Sequence, residues 1–327
     1  TLPVDLAALG EGGFRINGVE SLGFMGESVS GAGDVNGDGR ADLIVGGAQT
    51  GPGGESYVVF GKSDSTTVNL DALGNAGFRI TTNQSGDRLG HSVSGAGDVN
   101  GDGLADLIVG AYFADVENNT SGSSFVVFGR ASSNPVDVGS PGLSGLSIFG
   151  FRAGDTSGRS VAGAGDFNGD GLADLVVGAD GVDPDGRSQA GAAYLVFGTR
   201  SSGSVLLRLL GRGGVELNGI DAGDAAGFSV AGAGDLNGDG LADLIVGAPS
   251  ADPRGDNLAG ESYVVFGSTS NPFEIDLGNL GTRGYRIDGG ATGDRSGTTV
   301  SADGDVNGDG LADLIIGAPS ASPEGRS

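Results

Sequence analysis

Short apolar runs alternate with turn residues along the whole chain, and the runs recur in a fixed order. One reads Ser28-Val-Ser-Gly-Ala-Gly33, the next Asp42-Leu-Ile-Val-Gly46, and a third Ser56-Tyr-Val-Val-Phe-Gly61. A fourth, Gly77-Phe-Arg-Ile80, closes the set. Brief runs rich in Val, Ile, Tyr and Phe that are bounded by Gly, Asn and Asp predict β-strands. The pattern therefore predicts an all-β protein with four short strands in each unit.

A nine-residue segment between the first and second runs shows that the units are repeats. It occupies residues 34–42, 98–106, 166–174, 235–243 and 305–313, so successive copies begin 64 to 70 residues apart. A period of this size is typical of architectures in which one unit cannot bury its apolar face alone. We therefore interpret residues 1–327 as a single repeat domain.

Four-stranded antiparallel units with small residues in the first strand predict the blades of a β-propeller. The first strands of a propeller converge on a central channel, where large side chains would not fit side by side. Five repeats are visible, but the fifth ends at Ser327 before a third strand. Two interpretations stay open, a section of a larger propeller and a five-unit ring with an incomplete last blade. The incomplete sheet edge would favour self-association.

The repeated segment has the composition of a calcium loop. Asp34, Asn36 and Asp38 stand at positions 1, 3 and 5, Gly39 permits a sharp turn at position 6, and Asp42 stands at position 9. Position 7 would contribute its backbone carbonyl, which does not depend on the side chain. Oxygen ligands without His or Cys select Ca²⁺, or less readily Mg²⁺, over zinc or copper.

We expect about five Ca²⁺ ions, one in each repeat. The predicted ligands are Asp34, Asn36, Asp38, Arg40, Asp42, Asp98, Asn100, Asp102, Leu104, Asp106, Asp166, Asn168, Asp170, Leu172, Asp174, Asp235, Asn237, Asp239, Leu241, Asp243, Asp305, Asn307, Asp309, Leu311 and Asp313.

The loop has two alternative interpretations. An EF-hand requires a bidentate Glu at position 12, where this chain has Val45, Val109, Val177, Val246 or Ile316 inside an apolar run. A plain turn between strands would also use Asn-Gly and Asp-Gly, but it needs only one or two of the four retained ligand positions. Five complete copies therefore favour calcium.

The whole motif resembles the FG-GAP repeats of the integrin α-subunit propeller and of its bacterial relatives. Gly247-Ala-Pro249 and Gly317-Ala-Pro319 match the end of that motif, whereas Gly46-Gly-Ala48 and Gly178-Ala-Asp180 depart from it. The resemblance implies a seven-bladed propeller of which this chain is a section. It also implies calcium loops on one face and ligand contact on the other.

The contact loops that the resemblance implies are residues 49–55, 112–123, 180–190 and 249–260, whose lengths and compositions differ between repeats. Within them we single out Tyr112 and Phe113 as aromatic contacts, and Arg254, Gly255 and Asp256 as an Arg-Gly-Asp tripeptide. Because the chain is rich in Gly and Asp, chance readily produces such a tripeptide. His91, the single histidine, is interpreted as a surface residue.

Composition changes the picture in two ways. The net charge of −25 argues against a nucleic-acid partner, and the absence of Cys leaves calcium, not disulfides, to stabilise the domain. No membrane span is visible. No nucleophile, triad or zinc motif supports catalysis, so we expect a non-enzymatic module.

The expected function is extracellular or cell-surface adhesion or interaction with a protein or a glycan. The alternative is a structural or targeting appendage of a longer secreted or surface protein. A glycan-binding lectin and a calcium-dependent hydrolase are further alternatives.

Overall fold

The computed structural model describes residues 13–19, 24–116, 119–140, 144–302 and 304–322. Strands dominate these residues, and each helix among them is a single 3₁₀ turn of three residues. The prediction of an all-β protein is therefore confirmed. The 3₁₀ turns are Leu70–Ala72, Gly74–Ala76, Pro184–Gly186, Leu207–Leu209, Gly211–Gly213, Pro253–Gly255 and Leu277–Asn279. Parts of the predicted 1–327 domain and of the 112–123 loop lie outside the described residues.

The strands fall into sets that follow the repeats. First strands precede a loop: Ser28–Gly33, Ser92–Gly97, Ser160–Gly165, Ser229–Gly234 and Thr299–Ser301. Second strands follow it: Asp42–Gly47, Asp106–Ala111, Asp174–Ala179, Asp243–Ala248 and Ile315–Gly317. Third strands are Glu55–Val59, Ser123–Val127, Ala192–Val196 and Glu261–Val265, and fourth strands are Gly77–Thr81, Gly145–Phe149, Gly214–Asn218 and Gly284–Asp288. An extra pair, Asp115–Val116 and Asn119–Thr120, forms a small hairpin after the second strand of repeat 2.

Within repeats 1 to 4 the four strands pair antiparallel in chain order, as adjacent hairpin-connected strands readily do. A further short strand, which the sequence pattern does not predict, lies between the third and fourth strands, and we call it the linking strand. It pairs parallel with the fourth strand of the preceding repeat, as Val136–Asp137 does with Ile80 and Thr81. The linking strands are Val68–Asn69, Val136–Asp137, Gly203–Leu206 and Glu274–Asp276, and the first of them pairs with Ile16–Asn17.

First strands of neighbouring repeats lie side by side. The Ser92 hydroxyl accepts a hydrogen bond from the backbone N–H of Val161 at 3.0 Å, and the equivalent bond links the other neighbouring first strands. A Cβ on Gly95 would lie 2.6 Å from the carbonyl oxygen of Gly31. The small residues predicted for these strands therefore permit a close backbone approach.

The core lies between neighbouring sheets. One apolar cluster combines Ile44 and Phe78 of repeat 1 with Leu107 and Phe125 of repeat 2, and the other large clusters combine later neighbours in the same way. Every residue of the second strand Asp106–Ala111 is buried, because sheets cover both of its faces. In repeat 1 Leu43 is 38% exposed. Each repeat therefore depends on its neighbours for burial, as expected of repeat proteins.

Candidate calcium loops and the opposite face

The backbone of each loop wraps around the carboxylate at position 1. Asp34 Oδ1 accepts hydrogen bonds from the N–H groups of Gly37 and Asp38 at 2.8 and 3.0 Å, and Oδ2 accepts from Gly39 at 2.8 Å. Gly37 and Gly39 have φ of 76° and 85°, which explains glycine at both positions. The same three bonds recur in the other loops.

These N–H groups favour a charged carboxylate at position 1. The backbone N–H groups, with Gly240 and Gly310 contributing most, hold the pKa of Asp235 and Asp305 below the usual value. The fourth and fifth loops are thus built around an anion that backbone N–H groups stabilise.

The side chains at positions 3, 5 and 9 converge. Asn168 Nδ2 lies 3.1 Å from Asp170 Oδ2 and 3.5 Å from Asp174 Oδ1. In the fifth loop, Asn307 Nδ2 lies 3.2 Å from Asp313 Oδ1. The amide thus stands between carboxylates in the place where an oxygen-coordinated cation would gather them.

Position 9 has a second role that the sequence analysis missed. Asp42 Oδ2 accepts from the N–H of Val35 at 2.9 Å, and Oδ1 accepts from the N–H of Gly61 at 2.7 Å. Gly61 follows the third strand, so this carboxylate ties the loop to the end of that strand. Asp106, Asp174 and Asp243 make the equivalent pair of bonds.

Burial acts against the charge at position 9. It raises the pKa of Asp106 to about 6 and that of Asp174 to about 7, although backbone N–H groups oppose the shift. The neighbouring carboxylates Asp102 and Asp98 raise the pKa of Asp106 further. Burial likewise raises the pKa of Asp42 and of Asp243. A divalent cation among these groups would remove the repulsion between them.

The donor set fits calcium, since it consists of hard oxygens on a tightly curved backbone. In the geometry described, the same oxygens accept backbone hydrogen bonds. Across the described residues, no three acidic, His or Cys side chains gather closely enough to hold an ion. Asp34 Oδ1 uses both lone pairs on N–H groups, but Oδ2 accepts a bond from Gly39 alone and keeps a lone pair with which it could bind a metal ion.

Backbone hydrogen bonds link neighbouring loops. The N–H of Ala105 at position 8 of the second loop donates to the carbonyl of Asp34 at position 1 of the first loop, at 3.0 Å. Ala173 makes the same bond to Asp98, and Ala242 to Asp166. Position 7 also has a packing role. A Cβ on Gly101 would lie 2.9 Å from Leu172 Cδ2, so this leucine covers the glycine of the preceding loop.

The opposite face carries a different kind of contact. Residues that directly precede the first strands or follow the second strands lie at the strand ends away from the loops. There the side chains of Glu27, His91, Tyr112, Phe113, Arg159 and Phe228 form what we call the upper cluster. The His91 and Tyr112 ring centroids are 4.4 Å apart, and Arg159 Cζ lies 4.4 Å from the Phe228 centroid.

Charges in the upper cluster come from three repeats. His91 Nδ1 lies 3.3 Å from Glu27 Oε1, and Arg159 Nε lies 3.5 Å from Asp180 Oδ2. Burial lowers the pKa of His91, the Glu27 charge opposes that shift, and the Arg159 charge reinforces it. His91 is a partly exposed residue whose ring also packs against Tyr112. Sequence alone gave no signal for this contact, which depends on residues from separate repeats.

The predicted ligand residues occupy contrasting environments. Tyr112 is buried within the upper cluster, whereas Phe113 is 41% exposed beside it. Arg254 Nη1 lies 3.2 Å from Asp288 Oδ2, and its Nη2 donates to the carbonyl of Gly289 at 2.8 Å. The Arg-Gly-Asp tripeptide therefore places its guanidinium in contacts within the fold. The Asp256 carboxylate lies 3.8 Å from Arg254 Nε.

The recurring aspartates before the first strands act in turns. Asp224 Oδ2 accepts from the N–H of Asp221 at 3.1 Å, and Asp155 and Asp294 make the same bond to the residue three places earlier. Burial raises the pKa of Asp224 to about 6.

Comparison with known proteins identifies the repeats. Residues 25–59, 89–127, 157–196, 226–265 and 296–327 match the family described as FG-GAP repeat. Integrin alpha pat-2 of Caenorhabditis elegans is 32% identical over 236 residues, which cover 68% of this chain and 18% of that protein. Human integrin alpha-IIb is 33% identical over 205 residues, covering 60% of this chain and 18% of that protein.

A bovine phosphatidylinositol-glycan-specific phospholipase D is 34% identical over 168 residues, covering 49% of this chain and 18% of the enzyme. The matched region is thus less than a fifth of each of these relatives. Because the five matched segments together span more than half of the sequence, the chain belongs to the FG-GAP repeat family.

Proposed function

We propose that this chain is a calcium-stabilised β-propeller, or a section of a seven-bladed one, that acts as an extracellular interaction module. Each loop would hold one structural Ca²⁺ through the side-chain oxygens of positions 1, 3, 5 and 9 and the carbonyl of position 7. Ligand contact would occur on the face that carries the upper cluster. The integrin relatives support an extracellular adhesion or interaction role.

One contrast carries the proposal. The loop hydrogen bonds are the same in all five repeats, whereas the residues directly before the first strands are Glu27, His91, Arg159, Phe228 and Thr298. A stabilising metal needs identical cages, and a recognition surface needs individually shaped contacts. Calcium would also screen the carboxylates, which repel each other at close range.

The partner is proposed to be an extracellular protein, with a glycan as the alternative. The exposed ring of Phe113 and the charge of Arg159 offer one local mixed surface, not a site repeated in every unit. Hot spots of protein interfaces are enriched in aromatic residues and Arg. Within the described residues, no helix is long and apolar enough to cross a membrane.

A cell-adhesion assay on surfaces coated with the chain tests this function. We expect adhesion in calcium that Arg159→Ala and Phe113→Ala reduce. The matched control is Arg212→Ala, an exposed arginine in the turn between third and fourth strands on the loop face. Adhesion that is equal for all three variants would contradict recognition by the upper cluster. A glycan array with the same variants separates a sugar from a protein.

The similarity to the phospholipase D favours a second candidate, an appendage that targets a longer secreted or surface protein. The shared segment is 18% of that enzyme, so the repeats and the named activity need not reside in the same segment. We propose that this chain is itself non-catalytic. Incubation with a glycosylphosphatidylinositol-anchored substrate should release no phosphatidic acid, and calcium-dependent release would contradict the proposal.

A further inference from the structure

The outer edge of the repeat 3 sheet lacks an ion pair that repeats 1 and 4 contain. In repeat 1, Arg79 of the fourth strand lies 3.4 Å from Glu55 of the third strand. In repeat 4, Arg286 lies 3.2 Å from Glu261 in the same arrangement. A tyrosine two residues after each Glu donates its hydroxyl to that carboxylate. The buried acid in these repeats thus has an arginine as its counter-ion.

Repeat 3 replaces both members of the pair. Ala192 stands where repeats 1 and 4 have Glu, and Glu216 stands where they have Arg, while repeat 2 has Ser123 and Ser147 at these places. The linking strand places Glu274 directly opposite Glu216 in parallel register. Directly opposite residues of paired strands project to the same side, so two carboxylates become neighbours, an arrangement that is unfavourable without a cation.

The surroundings make the excess of negative charge larger. Tyr194 donates its hydroxyl to Glu216 Oε1 at 3.4 Å. The charges that act most strongly on Glu216 are those of Glu274, Asp185 and Asp155.

Two arginines lie near this edge. The positive charge of Arg152 interacts with the Tyr194 hydroxyl. The Arg152 Cζ atom lies 5.6 Å from the centroid of the Phe151 ring. Arg187 donates to the carbonyls of Pro184 and Ile220 and to Asp185 Oδ2.

A buried amide side chain contacts one of these acids. Asn218 is 4% exposed, and its Nδ2 donates to Glu274 Oε1 at 2.7 Å. The Oδ1 atom of this amide has no hydrogen-bond partner in the described structure. Buried carbonyl oxygens are almost always satisfied, so an unpaired one beside two carboxylates needs an explanation. A cation that binds this amide oxygen and an oxygen of each carboxylate would explain the unpaired atom.

We propose that Glu216, Glu274 and Asn218 Oδ1 bind a Ca²⁺ ion at the outer edge of the repeat 3 sheet. The ligands are hard oxygens from two carboxylates and an amide, which is the chemistry that calcium prefers. Water completes the coordination, and the Tyr194 hydroxyl lies beside the ion. The site is separate from the loops, because it uses the fourth and linking strands. The cation takes the place that Arg79 and Arg286 occupy in repeats 1 and 4.

Terbium luminescence tests the site, since Tb³⁺ replaces Ca²⁺ and is sensitised by a nearby tyrosine. The chain has no tryptophan and five tyrosines. Burial and the charge of Asp243, a residue of the fourth loop, raise the pKa of Tyr285, so this tyrosine lies near a loop. Tyr285→Phe is therefore the background for every measurement. In this background we expect sensitised emission on adding Tb³⁺, competed by Ca²⁺ and lost in Tyr194→Phe.

Ligand variants give the decisive comparison. The double variant Glu216→Gln/Glu274→Gln should lose the emission and one bound Ca²⁺ per chain by equilibrium dialysis. Ala192→Glu/Glu216→Arg rebuilds the ion pair of repeats 1 and 4, and it should lose the same ion while keeping its thermal midpoint. Glu261→Gln, an acid that Arg286 already neutralises, is the matched control and should keep both signals.

Two results would overturn the proposal. One is unchanged emission and calcium stoichiometry in Glu216→Gln/Glu274→Gln. The other is an infrared band of a protonated carboxyl that persists in calcium and vanishes in Glu216→Gln, since a shared proton would then satisfy the pair. None of these variants changes a loop residue, so neither result bears on calcium binding by the loops.

Discussion

The loop face and the opposite face of this protein are built by opposite strategies from the same repeats. On the loop face, side chains accept hydrogen bonds from backbone N–H groups, and the pattern around Asp34 recurs around Asp98, Asp166, Asp235 and Asp305. In the upper cluster on the opposite face, side chains contact other side chains, and the residues change from repeat to repeat. The His91–Tyr112 and Arg159–Phe228 contacts have no copy elsewhere in the upper cluster.

From this difference we infer which face provides stability and which provides specificity. Backbone bonds constrain the loop sequence strongly, because only Gly accepts the loop dihedral angles and only Asp or Asn supplies the acceptors. Side-chain contacts on the opposite face leave the backbone unaffected, so they can vary without loss of the fold. Changes on the loop face should therefore cost stability, and changes on the opposite face should cost recognition.

Removing calcium is the strongest test of the loop face. A ligand at 100 times its Kd that binds only the folded state stabilises it by about 2.7 kcal/mol per site, so five independent sites contribute roughly 13 kcal/mol. That is comparable with the whole stability of a typical domain. We expect EGTA to lower the thermal midpoint steeply and added calcium to restore it. Midpoints that agree with and without EGTA would contradict a structural role for the metal.

Within the loop face, Asp174→Ala and Asp313→Ala compare a buried with a more exposed carboxylate at position 9. Asp174 is fully buried and accepts hydrogen bonds from Phe167, Asn168 and Gly198. Asp313 is more exposed in the last loop. Both variants should lose one loop calcium. Asp174→Ala should lower the free energy of unfolding by a further ~1–3 kcal/mol, since it leaves buried N–H groups without an acceptor. Urea denaturation in saturating calcium measures the difference, and equal losses would contradict it.

On the other face, acid should stabilise the fold through Asp224. The pKa of Asp224 is raised from 3.8 to about 6 by burial, so the folded state binds this proton more tightly than the unfolded state. Its contribution to the free energy of unfolding is most favourable below about pH 4 and is lost as pH rises through about 6. Asp224→Asn should flatten that slope in urea denaturation at fixed calcium. Asp294→Asn, at the same place in the next repeat, is the control, and a slope unchanged by Asp224→Asn would contradict the assignment.

The smallest effect on stability is expected for Arg159→Ala. Partly exposed ion pairs and cation–π contacts each contribute about 0–1 kcal/mol, so the midpoint should shift little although adhesion is reduced. Circular-dichroism melts of this variant and of Arg212→Ala should nearly coincide. A loss as large as that of Asp174→Ala would show that the upper cluster stabilises the fold and would end the contrast between the faces.

The sequence predicted the features that depend on neighbours along the chain. The strand runs, the positions of the loops and the small first-strand residues are all local patterns, and the structure contains them. Contacts between distant segments were missed. The bond from Gly61 to Asp42 spans nineteen residues, the linking strand Val136–Asp137 joins the preceding repeat, and His91 contacts Glu27 of another repeat. No local period encodes such pairings, because they depend on how the repeats pack.

The position 7 leucine shows the same limit. The sequence assigned only a backbone carbonyl to this position, and the structure adds packing of Leu172 over Gly101. The calcium ions themselves remain a prediction from the ligand pattern, supported by the convergence of Asn168, Asp170 and Asp174.

The hydrogen bonds that join the first four loops have a consequence for how the molecule opens. The amide of Ala173 can exchange its proton with solvent only after it separates from the carbonyl of Asp98, which belongs to the preceding repeat. Its exchange rate therefore reports the opening of two loops at once. The amides of Ala105, Ala173 and Ala242 should form a slow-exchanging row, along which loosening at one repeat passes to the next.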